Sequence, residues 1–330
     1  MKRMSKVVTA ALVTLVATIV ATPVATIAHA GEAYPQRPIR WVVPVPAGST
    51  GDIVSRLVAQ RLSDALQQQV IVDNRPGGVM VTGANIVAKA APDGYTIGTF
   101  LTPYIINPFV LKNLPYDSAK DFTPISLMVV VPNVMTAWGG LPASTLKETI
   151  ALAKAKPGGY SYGAPGVLTS GHLTMEMLKL AAGVDITYIP YKGGAPAIVD
   201  LISGQIHFLI SGPPGVQAQI RAKRLKALAV TWSQRLPSLP ETPTFAEAGM
   251  PGFETYGWYG VFGPANMPRD IVQKLSREVA RLVKLPDFSE QFAAQGAIAM
   301  GTSPEELAAF VKRETGTWGA VAKKVKLQAE

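Results

Sequence analysis

Residues 39–66 read IRWVVPVPAGSTGDIVSRLVAQRLSDAL, in which an apolar run, a short turn and an amphipathic pattern follow one another directly. The run at 39–45 has the composition of a buried strand, and the later residues have the period of a helix. Between them, PAGSTGD (46–52) is rich in small and hydroxyl-bearing residues, and Thr50 or Asp52 can cap the helix. This stretch therefore predicts a strand, a tight loop and a helix, which is the repeating unit of an α/β fold.

The first loop (46–52) is a candidate anion site because it opens a helix. Free N–H groups in the first turn of a helix, together with the helix dipole, stabilise an anion in front of it. The loop has neither a Gly-Lys-Ser/Thr sequence nor the G-x-G-x-x-G spacing, so it is not a known nucleotide motif. From this loop alone two interpretations stay open, an anion site and an ordinary capped helix after a tight turn.

The same alternation of apolar runs and helical patterns continues to the C-terminus, where helices are predicted over Arg269–Leu285 and Pro304–Lys324. Strands that alternate with helices favour an α/β fold with largely parallel sheets. Residues 106–117 (INPFVLKNLPYD) are predicted to form a loop, and the Pro- and Gly-rich residues 237–268 a long surface segment.

Two further loops lead from an apolar run into a helix. The second loop, GAPGVLTSGHL (163–173), carries Thr169 and Ser170 as capping hydroxyls and His172 in the first turn of its helix. The third loop is YKGGAPA (191–197). Because ligands of open α/β sheets bind beyond the carboxyl ends of strands, two such helix starts that face each other would hold a carboxylate.

The first thirty residues have the pattern of a secretory signal peptide. A basic start, MKRMSK, precedes a long apolar stretch and the small-residue site AHA (28–30). A membrane anchor is the alternative, but Pro23 interrupts the apolar stretch and a cleavage site follows it. Cleavage after Ala30 and export of residues 31–330 are expected.

Composition excludes several classes of protein. There is no cysteine among the 330 residues, which excludes thiol catalysis, zinc-thiolate sites and iron–sulfur clusters. A formal net charge of +9 without runs of Lys or Arg interleaved with aromatics does not indicate nucleic-acid binding. His172 and His207 have no carboxylate at ligand spacing, so neither a metal nor another cofactor is expected.

One short motif suggests an enzyme. GYSYG (159–163) matches G-x-S-x-G, and Ser161, then Asp185 or Asp200, then His207 follow the chain order of a serine hydrolase. A nucleophile of that kind needs a sharp turn between strand and helix, whereas Ser161 is predicted to lie within a strand. The hydrolase therefore remains only an alternative to a binding protein.

Nine segments in order resemble the Bug/TctC family, the extracytoplasmic solute-binding proteins of tripartite tricarboxylate transporters in Gram-negative bacteria. The resemblance extends from Tyr34 to the C-terminus. The segments are VPVPAGSTGDIVSR, NRPGG, APDGYT, INPFVLKNLPYD, TSGHL, PYKGGAPAIVDLISGQI, LKALAVT, PTFAEAGMPGF and WYGVFGP.

The resemblance implies a two-lobed periplasmic-binding-protein fold, type II-like, with a ligand cleft between the lobes. Residues 1–30 are then the signal peptide, 31–131 with 232–330 form lobe 1, and 132–231 form lobe 2. The crossings between lobes are expected near Val129–Val134 and Ala229–Ser233.

The resemblance also implies a function without chemistry. A monomeric periplasmic receptor would bind a small carboxylate by hinge closure and deliver it to the inner-membrane permease subunits of a tripartite tricarboxylate-type transporter. A binding protein that feeds a signalling partner is the alternative that the sequence leaves open. The residues expected to bind the ligand are Pro46, Ala47, Gly48, Ser49, Thr50, Asp52, Thr102, Thr169, Ser170, Gly171, His172 and Ser211.

Two residues depart from the family pattern. Val45 stands where members usually carry an aromatic residue, which removes a packing wall for the ligand. Ser211 stands where many members carry an acidic residue, and this favours ligands without an amino group.

Overall fold

The computed structural model describes residues 34–164, 166–294 and 296–325. The predicted signal peptide and its cleavage site after Ala30 lie outside the described residues. Within the described ranges, no helix combines the length and apolar character that crossing a membrane requires.

Strands and helices alternate along most of the chain, as the sequence predicts. The strands are β1 (Ile39–Val43), β2 (Val70–Asn74), β3 (Thr96–Phe100), β4 (Phe122–Pro132), β5 (Val134–Trp138), β6 (Ser161–Ala164), β7 (Thr187–Pro190), β8 (Phe208–Ser211), β9 (Leu225–Val230), β10 (Tyr256–Pro264) and β11 (Ile298–Ala299). The helices are α1 (Thr50–Leu66), α2 (Val81–Ala88), α3 (Thr102–Val110), α4 (Leu146–Ala155), α5 (Ser170–Ala182), α6 (Gly194–Ser203), α7 (Pro213–Arg221), α8 (Arg269–Val283), α9 (Pro286–Ala294) and α10 (Pro304–Val325).

The strands form two sheets. The first sheet has the order β11-β4-β10-β3-β1-β2, in which β1 pairs in parallel with β2 and β3, and β10 lies antiparallel between β3 and β4. The second sheet has the order β7-β6-β8-β5-β9, with β6 parallel to both β7 and β8 and β5 antiparallel to its neighbours. The predicted α/β class is confirmed, but the prediction of largely parallel sheets is wrong. Both sheets are mixed, because β10 and β11 in the first sheet and β5 in the second pair only antiparallel with their neighbours.

Each sheet has a core of its own. In the first core, Phe100 stacks on Tyr104 and Phe262, with ring centroids 4.8 Å and 5.1 Å apart. In the second core, Tyr162 and Phe208 are fully buried among aliphatic side chains. Burial of an aromatic side chain stabilises a fold by about 2 kcal/mol. The helix α5 packs on both cores, because Leu173 belongs to the first and Leu178 to the second.

The chain passes between the sheets at a cluster of buried hydrogen bonds. β4 leads into β5 through Asn133, whose N–H donates to Thr231 Oγ1 at 2.9 Å. The Thr231 hydroxyl in turn donates to the carbonyl oxygen of Thr255, and the Thr255 hydroxyl bonds to that of Thr174 at 2.7 Å. The ends of β4, β9 and β10 and the first turns of α5 are therefore tied together at one point.

The predicted division into lobes stays a prediction. The packing of the residues after 231 is informative for its second boundary, which was predicted at 231/232. Phe245 and Phe253 belong to the core of the second sheet, where their rings stack at 4.5 Å. Trp232 packs against the cores of both sheets, whereas Phe245 and Phe253 pack with the second sheet alone. This favours a boundary later than the predicted one at 231/232.

Two predictions of local structure are wrong. Residues 102–110 form the helix α3, so the first part of the predicted loop 106–117 is helical. Pro103 is tolerated in the first turn because no helical hydrogen bond is lost there. Within 237–268, predicted as a surface segment, β10 is a central strand of the first sheet. Its three glycines and its proline are disfavoured in strands, which hides the strand from pattern analysis.

We predict that Thr231→Val weakens the fold, because the isosteric side chain leaves the Asn133 N–H and the Thr255 carbonyl oxygen buried without this partner. The expected loss in the free energy of unfolding is about 2 kcal/mol. Urea denaturation measures it, with Thr231→Ser as the control that keeps the hydroxyl. Equal stability of the valine variant and the wild type would contradict the role given to this cluster.

Candidate ligand-binding site

The first loop leads from β1 into a helix, as the sequence predicts, but neither Thr50 nor Asp52 is the cap, because both lie within α1. Pro46, Ala47 and Gly48 are exposed, and Gly48 has a φ of +79°, a conformation that favours glycine. Ser49 is the N-cap residue of α1, but its hydroxyl donates to the Pro46 carbonyl oxygen at 2.8 Å. Thr50 begins the helix. The first N–H groups of a helix have no partner within it, so this end offers donors to a ligand.

The buried carboxylate of Asp52 fixes the first loop by hydrogen bonds. Its carboxylate is 3% exposed and accepts hydrogen bonds from Gly48 N and Asn74 Nδ2 at 2.8 Å and 2.9 Å. Arg56 Nε lies 2.9 Å from Asp52 Oδ1. Burial by itself would raise the pKa of this carboxyl, but the bonds from Arg56, Gly48 and Asn74 outweigh it and lower the pKa. Asp52 is therefore an ionised scaffold whose oxygens are engaged by the protein.

Asn74 and Arg56 were not among the predicted site residues. Asn74 Nδ2 also donates to the Val45 carbonyl oxygen at 3.1 Å, and Asn74 Oδ1 accepts from Arg56 Nη2 at 2.7 Å. The end of β2 thus fixes both sides of the first loop. The signal for Asn74 was its place at the end of a predicted strand, at the start of NRPGG.

The second loop ends in a capped helix, as predicted. Thr169 is the N-cap residue of α5, and its hydroxyl oxygen accepts the His172 N–H at 3.5 Å while donating to Gly166 O at 2.7 Å. Ser170 is half-buried in the first turn and Gly171 is buried beside it. The loop contains no Lys or Arg. The groups that it can offer to an anion are therefore backbone N–H groups and hydroxyl groups.

The His172 side chain points into the second core. Its ring lies 4.4 Å from the ring of Tyr188 and stacks on Tyr162, and Nδ1 accepts the Leu168 N–H at 3.3 Å. Burial lowers the pKa of His172 to about 4, with Glu176 opposing the shift. The imidazole is therefore neutral near pH 7 and supports the loop as a packed side chain.

β10 brings the first and second loops together. It pairs with β3 only from Gly260 onward, so its earlier residues extend beyond the last residue of β3. A Cβ atom built on Gly257 would lie 3.4 Å from Ser170 Oγ. Tyr259 follows Gly257 by two residues on the same strand. Its ring would lie 2.9 Å from a Cβ atom built on Gly51, in the first turn of α1. Residues i and i+2 of a strand share a face, so both helix starts lie along one face of β10.

Tyr259 is a second residue that sequence reasoning missed. Its phenol is hydrogen-bonded to the side chain of Thr50, and burial raises the pKa of Tyr259 to about 12 despite that bond. The ring forms a wall beside the first turn of α1. The only available signal was the segment WYGVFGP, in which nothing marks the tyrosine as facing a ligand.

Thr102 and Ser211 lie at the carboxyl ends of strands that neighbour the two loops. Thr102 is buried at the start of α3, directly after β3, which is parallel to β1. Ser211 ends β8, which is parallel to β6, and is 6% exposed. Within the described part of the chain, Ser211 Oγ has no hydrogen-bond partner. Such a group gains a bond when a ligand reaches it.

The serine and histidine of the hydrolase alternative are in contact, but the remaining geometry does not fit. Ser161 Oγ lies 3.1 Å from His207 Nδ1, yet Nδ1 also accepts the backbone N–H of Ser161. Asp200 accepts instead from Tyr191 Oη at 2.6 Å. Ser161 begins β6 and is not on a strand-to-helix turn. No described residues form a group of three or more His, Cys, Asp or Glu that could hold a metal ion.

Comparison with known proteins gives a consistent result. The sequence model described as "Tripartite tricarboxylate transporter family receptor" matches residues 54–327. The solved structure of the periplasmic binding protein BugD is 34% identical with a TM-score of 0.77, over 90% of this chain and 100% of that chain. This likeness confirms the predicted periplasmic-binding-protein fold.

Two similar structures contain ligands. The R. palustris protein Rpa4515 with adipate is 35% identical with a TM-score of 0.80, over 89% of this chain and 99% of that chain. MatC from Rhodopseudomonas palustris with bound malate is 29% identical with a TM-score of 0.76, over 87% and 99% of the two chains.

We predict a pH-dependent contribution of Asp52 to stability. Because its folded pKa is below the ordinary value of 3.8, the carboxylate stabilises the fold fully above that value, and the effect is lost as pH falls through the folded pKa. Asp52→Asn should be about 2 kcal/mol less stable than the wild type at neutral pH, and the difference should close below about pH 4.

Urea denaturation of both proteins over this pH range measures the difference. Asp64→Asn, which changes an exposed carboxylate on the same helix, is the matched control. A stability difference that stays constant with pH would show that the Asp52 charge does not hold the loop.

Proposed function

The chain belongs to the tripartite tricarboxylate transporter receptor family, and from this membership we propose that it binds a small carboxylate for delivery to the membrane subunits of such a transporter. It is a periplasmic solute-binding receptor and not an enzyme, as the resemblance to the Bug/TctC family implied. The adipate of Rpa4515 and the malate of MatC support a carboxylate as the ligand class.

The observation that carries the proposal is the meeting of two helix starts on β10. Thr50 and Ser170 begin α1 and α5, and they lie against Tyr259 and Gly257 of the same strand face. A carboxylate has two oxygens and can accept from donors on both sides. Each helix start stabilises such an anion by about 0.3–1 kcal/mol beyond its hydrogen bonds.

Recognition in this site uses backbone dipoles and hydroxyl groups. The first and second loops contain no Lys or Arg, and the nearby Arg56 is paired with Asp52. The protein therefore avoids the desolvation of a free cation in the cleft. Such a site accepts a carboxylate without demanding one fixed geometry, so we expect the rest of the cleft to decide which acid binds.

We expect Ser211 to discriminate between ligands by contacting the end of the ligand that is farther from the bound carboxylate. Its unpartnered Oγ can donate to or accept from a hydroxyl, amide or second carboxyl group. An ammonium group would need an anionic partner, which a serine does not provide. We therefore propose di- or hydroxycarboxylates, not amino acids, as the ligand class.

Hinge closure follows from the position of the ligand. The loop before α1 belongs to the first sheet and the loop before α5 to the second, so a ligand that bridges them favours the closed arrangement. The hydrogen-bonded crossing at Asn133, Thr231 and Thr255 is the proposed pivot. A differential affinity of about 3 kcal/mol between open and closed states is enough for a large population shift. The membrane partner would then recognise the closed form.

The direct test compares acids with their amides. We expect calorimetric titration of the exported protein with adipate, malate and related acids to give saturable binding by at least one acid. The matching diamide should bind at least about tenfold more weakly because it brings no charge to the helix starts. Equal affinity for acid and amide, or no binding by any acid after unfolding and refolding to remove a co-purified ligand, would contradict the proposal.

Substitutions at Gly257 test the position of the ligand. A Cβ at this residue makes only ordinary contacts, 3.4 Å to Ser170 Oγ and 3.8 Å to Val131 O. We therefore expect Gly257→Val to fold normally and to weaken acid binding about tenfold or more by filling the space beside Ser170. Gly257→Ala should have a smaller effect, and Ser170→Leu should act like the valine variant.

The melting temperature without ligand serves as the folding control for these variants. Wild-type affinity in Gly257→Val and Ser170→Leu, with unchanged melting temperature, would show that the carboxylate does not lie between the two helix starts.

A further inference from the structure

A cavity of about 840 Å³ lies away from both loops. It opens between α3, the segment 111–119 and α10. None of the residues expected to bind the carboxylate lines it. Its volume lies within the range of about 300–1,000 Å³ that is typical of small-molecule sites.

The wall of this cavity is mainly apolar. Tyr104, Ile105 and Phe262 are almost fully buried and form its floor. Val311 of α10 closes one side, and Phe109 of α3 stands at the edge with 37% of its surface exposed. An apolar concavity of this size that faces water gains free energy when an apolar molecule fills it.

Two buried polar groups meet at the lining. Tyr116 is 6% exposed, and burial raises the pKa of its phenol while a hydrogen bond with the Asn107 side chain opposes the shift. Within the described part of the chain, neither Tyr116 Oη nor Asn107 Oδ1 has a further partner. The Oη of Tyr104, which also lines the cavity, donates to the Ser118 carbonyl oxygen. Because both phenols have an acceptor within the protein, the wall offers a ligand mainly apolar contacts.

The charged groups of the lining are predominantly cationic. Lys112 and Lys312 both line the cavity, and neither forms an ion pair with another described residue. The acid in the lining, Asp117, is already engaged, because its carboxylate lies 3.4 Å from Lys120 Nζ and accepts the Ala119 N–H. The cavity therefore combines an apolar interior with two free ammonium groups.

We propose that this cavity is a second binding site, which takes an apolar monocarboxylate such as a medium-chain fatty acid. The acyl chain packs against Tyr104, Ile105 and Phe262, and the carboxylate is paired with Lys112 and Lys312. This site differs in chemistry from the cleft, where backbone donors meet the anion without a free cation. It does not depend on the proposed transport function.

The probe for the test is 1-anilinonaphthalene-8-sulfonate, which has an apolar aryl body and one anionic group. We expect its fluorescence to rise on a single saturable binding step. Decanoate should displace it, whereas decanol should do so less well because it lacks the charge. Adipate and malate should not displace the probe, because they belong to the cleft.

Matched variants on α10 test whether the probe binds in this cavity. Ala308 lines the cavity and Ala309 does not, although both are exposed. Ala308→Trp should weaken probe binding about tenfold by occupying the cavity, and Ala309→Trp should leave it unchanged. Lys312→Glu should weaken binding roughly fivefold, whereas Lys324→Glu, on the same helix and outside the cavity, should not.

Three results would overturn the proposal: no saturable binding, displacement of the probe by adipate, or equal affinities in Ala308→Trp and Ala309→Trp. Displacement by adipate would place the probe in the cleft and would leave the carboxylate proposal for that cleft intact. The two proposals can therefore fail separately.

Discussion

The shared face of β10 is the constraint on which the rest of the site depends. The strand continues past the end of β3 and carries Gly257 and Tyr259 on the face where α1 and α5 begin. Gly257 leaves room for Ser170, and the Tyr259 ring closes against Gly51. A larger residue at Gly51 would clash with the Tyr259 ring, whereas a larger residue at Gly257 would fill the space beside Ser170. The position of the site thus depends on the contacts of Gly51 with Tyr259 and of Gly257 with Ser170.

Next to this face, the buried charge of Asp52 is paired with groups of the protein itself. Asp52 is ionised and buried, and its oxygens bind the backbone of Gly48 and the side chains of Asn74 and Arg56. This network fixes the shape of the first loop while leaving the outward N–H groups free for a ligand. In the second loop the corresponding support is apolar and aromatic, since neutral His172 packs between tyrosines. Two different kinds of support therefore hold two similar helix starts.

The sequence predicted much of this arrangement but not its centre. The strand, loop and helix at 39–66 follow from the period of apolar residues, and Thr169 is the helix cap that its hydroxyl indicates. β10 was missed because glycine and proline mask its strand character, although one of these glycines, Gly257, leaves the space beside Ser170 open. Asn74 and Tyr259 contribute through contacts between distant segments, which local patterns do not contain. The apolar cavity beside α10 likewise depends on packing between α3 and a helix two hundred residues later in the chain.

We propose that one carboxylate contacts both helix starts at once. Two-dimensional amide NMR of the exported protein during titration with the tightest-binding acid tests it most directly. We expect the largest shifts to occur together at the amides of residues 48–51 and 170–172, with one shared binding constant. Shifts confined to one of these segments, or concentrated at residues 104–119 instead, would contradict it.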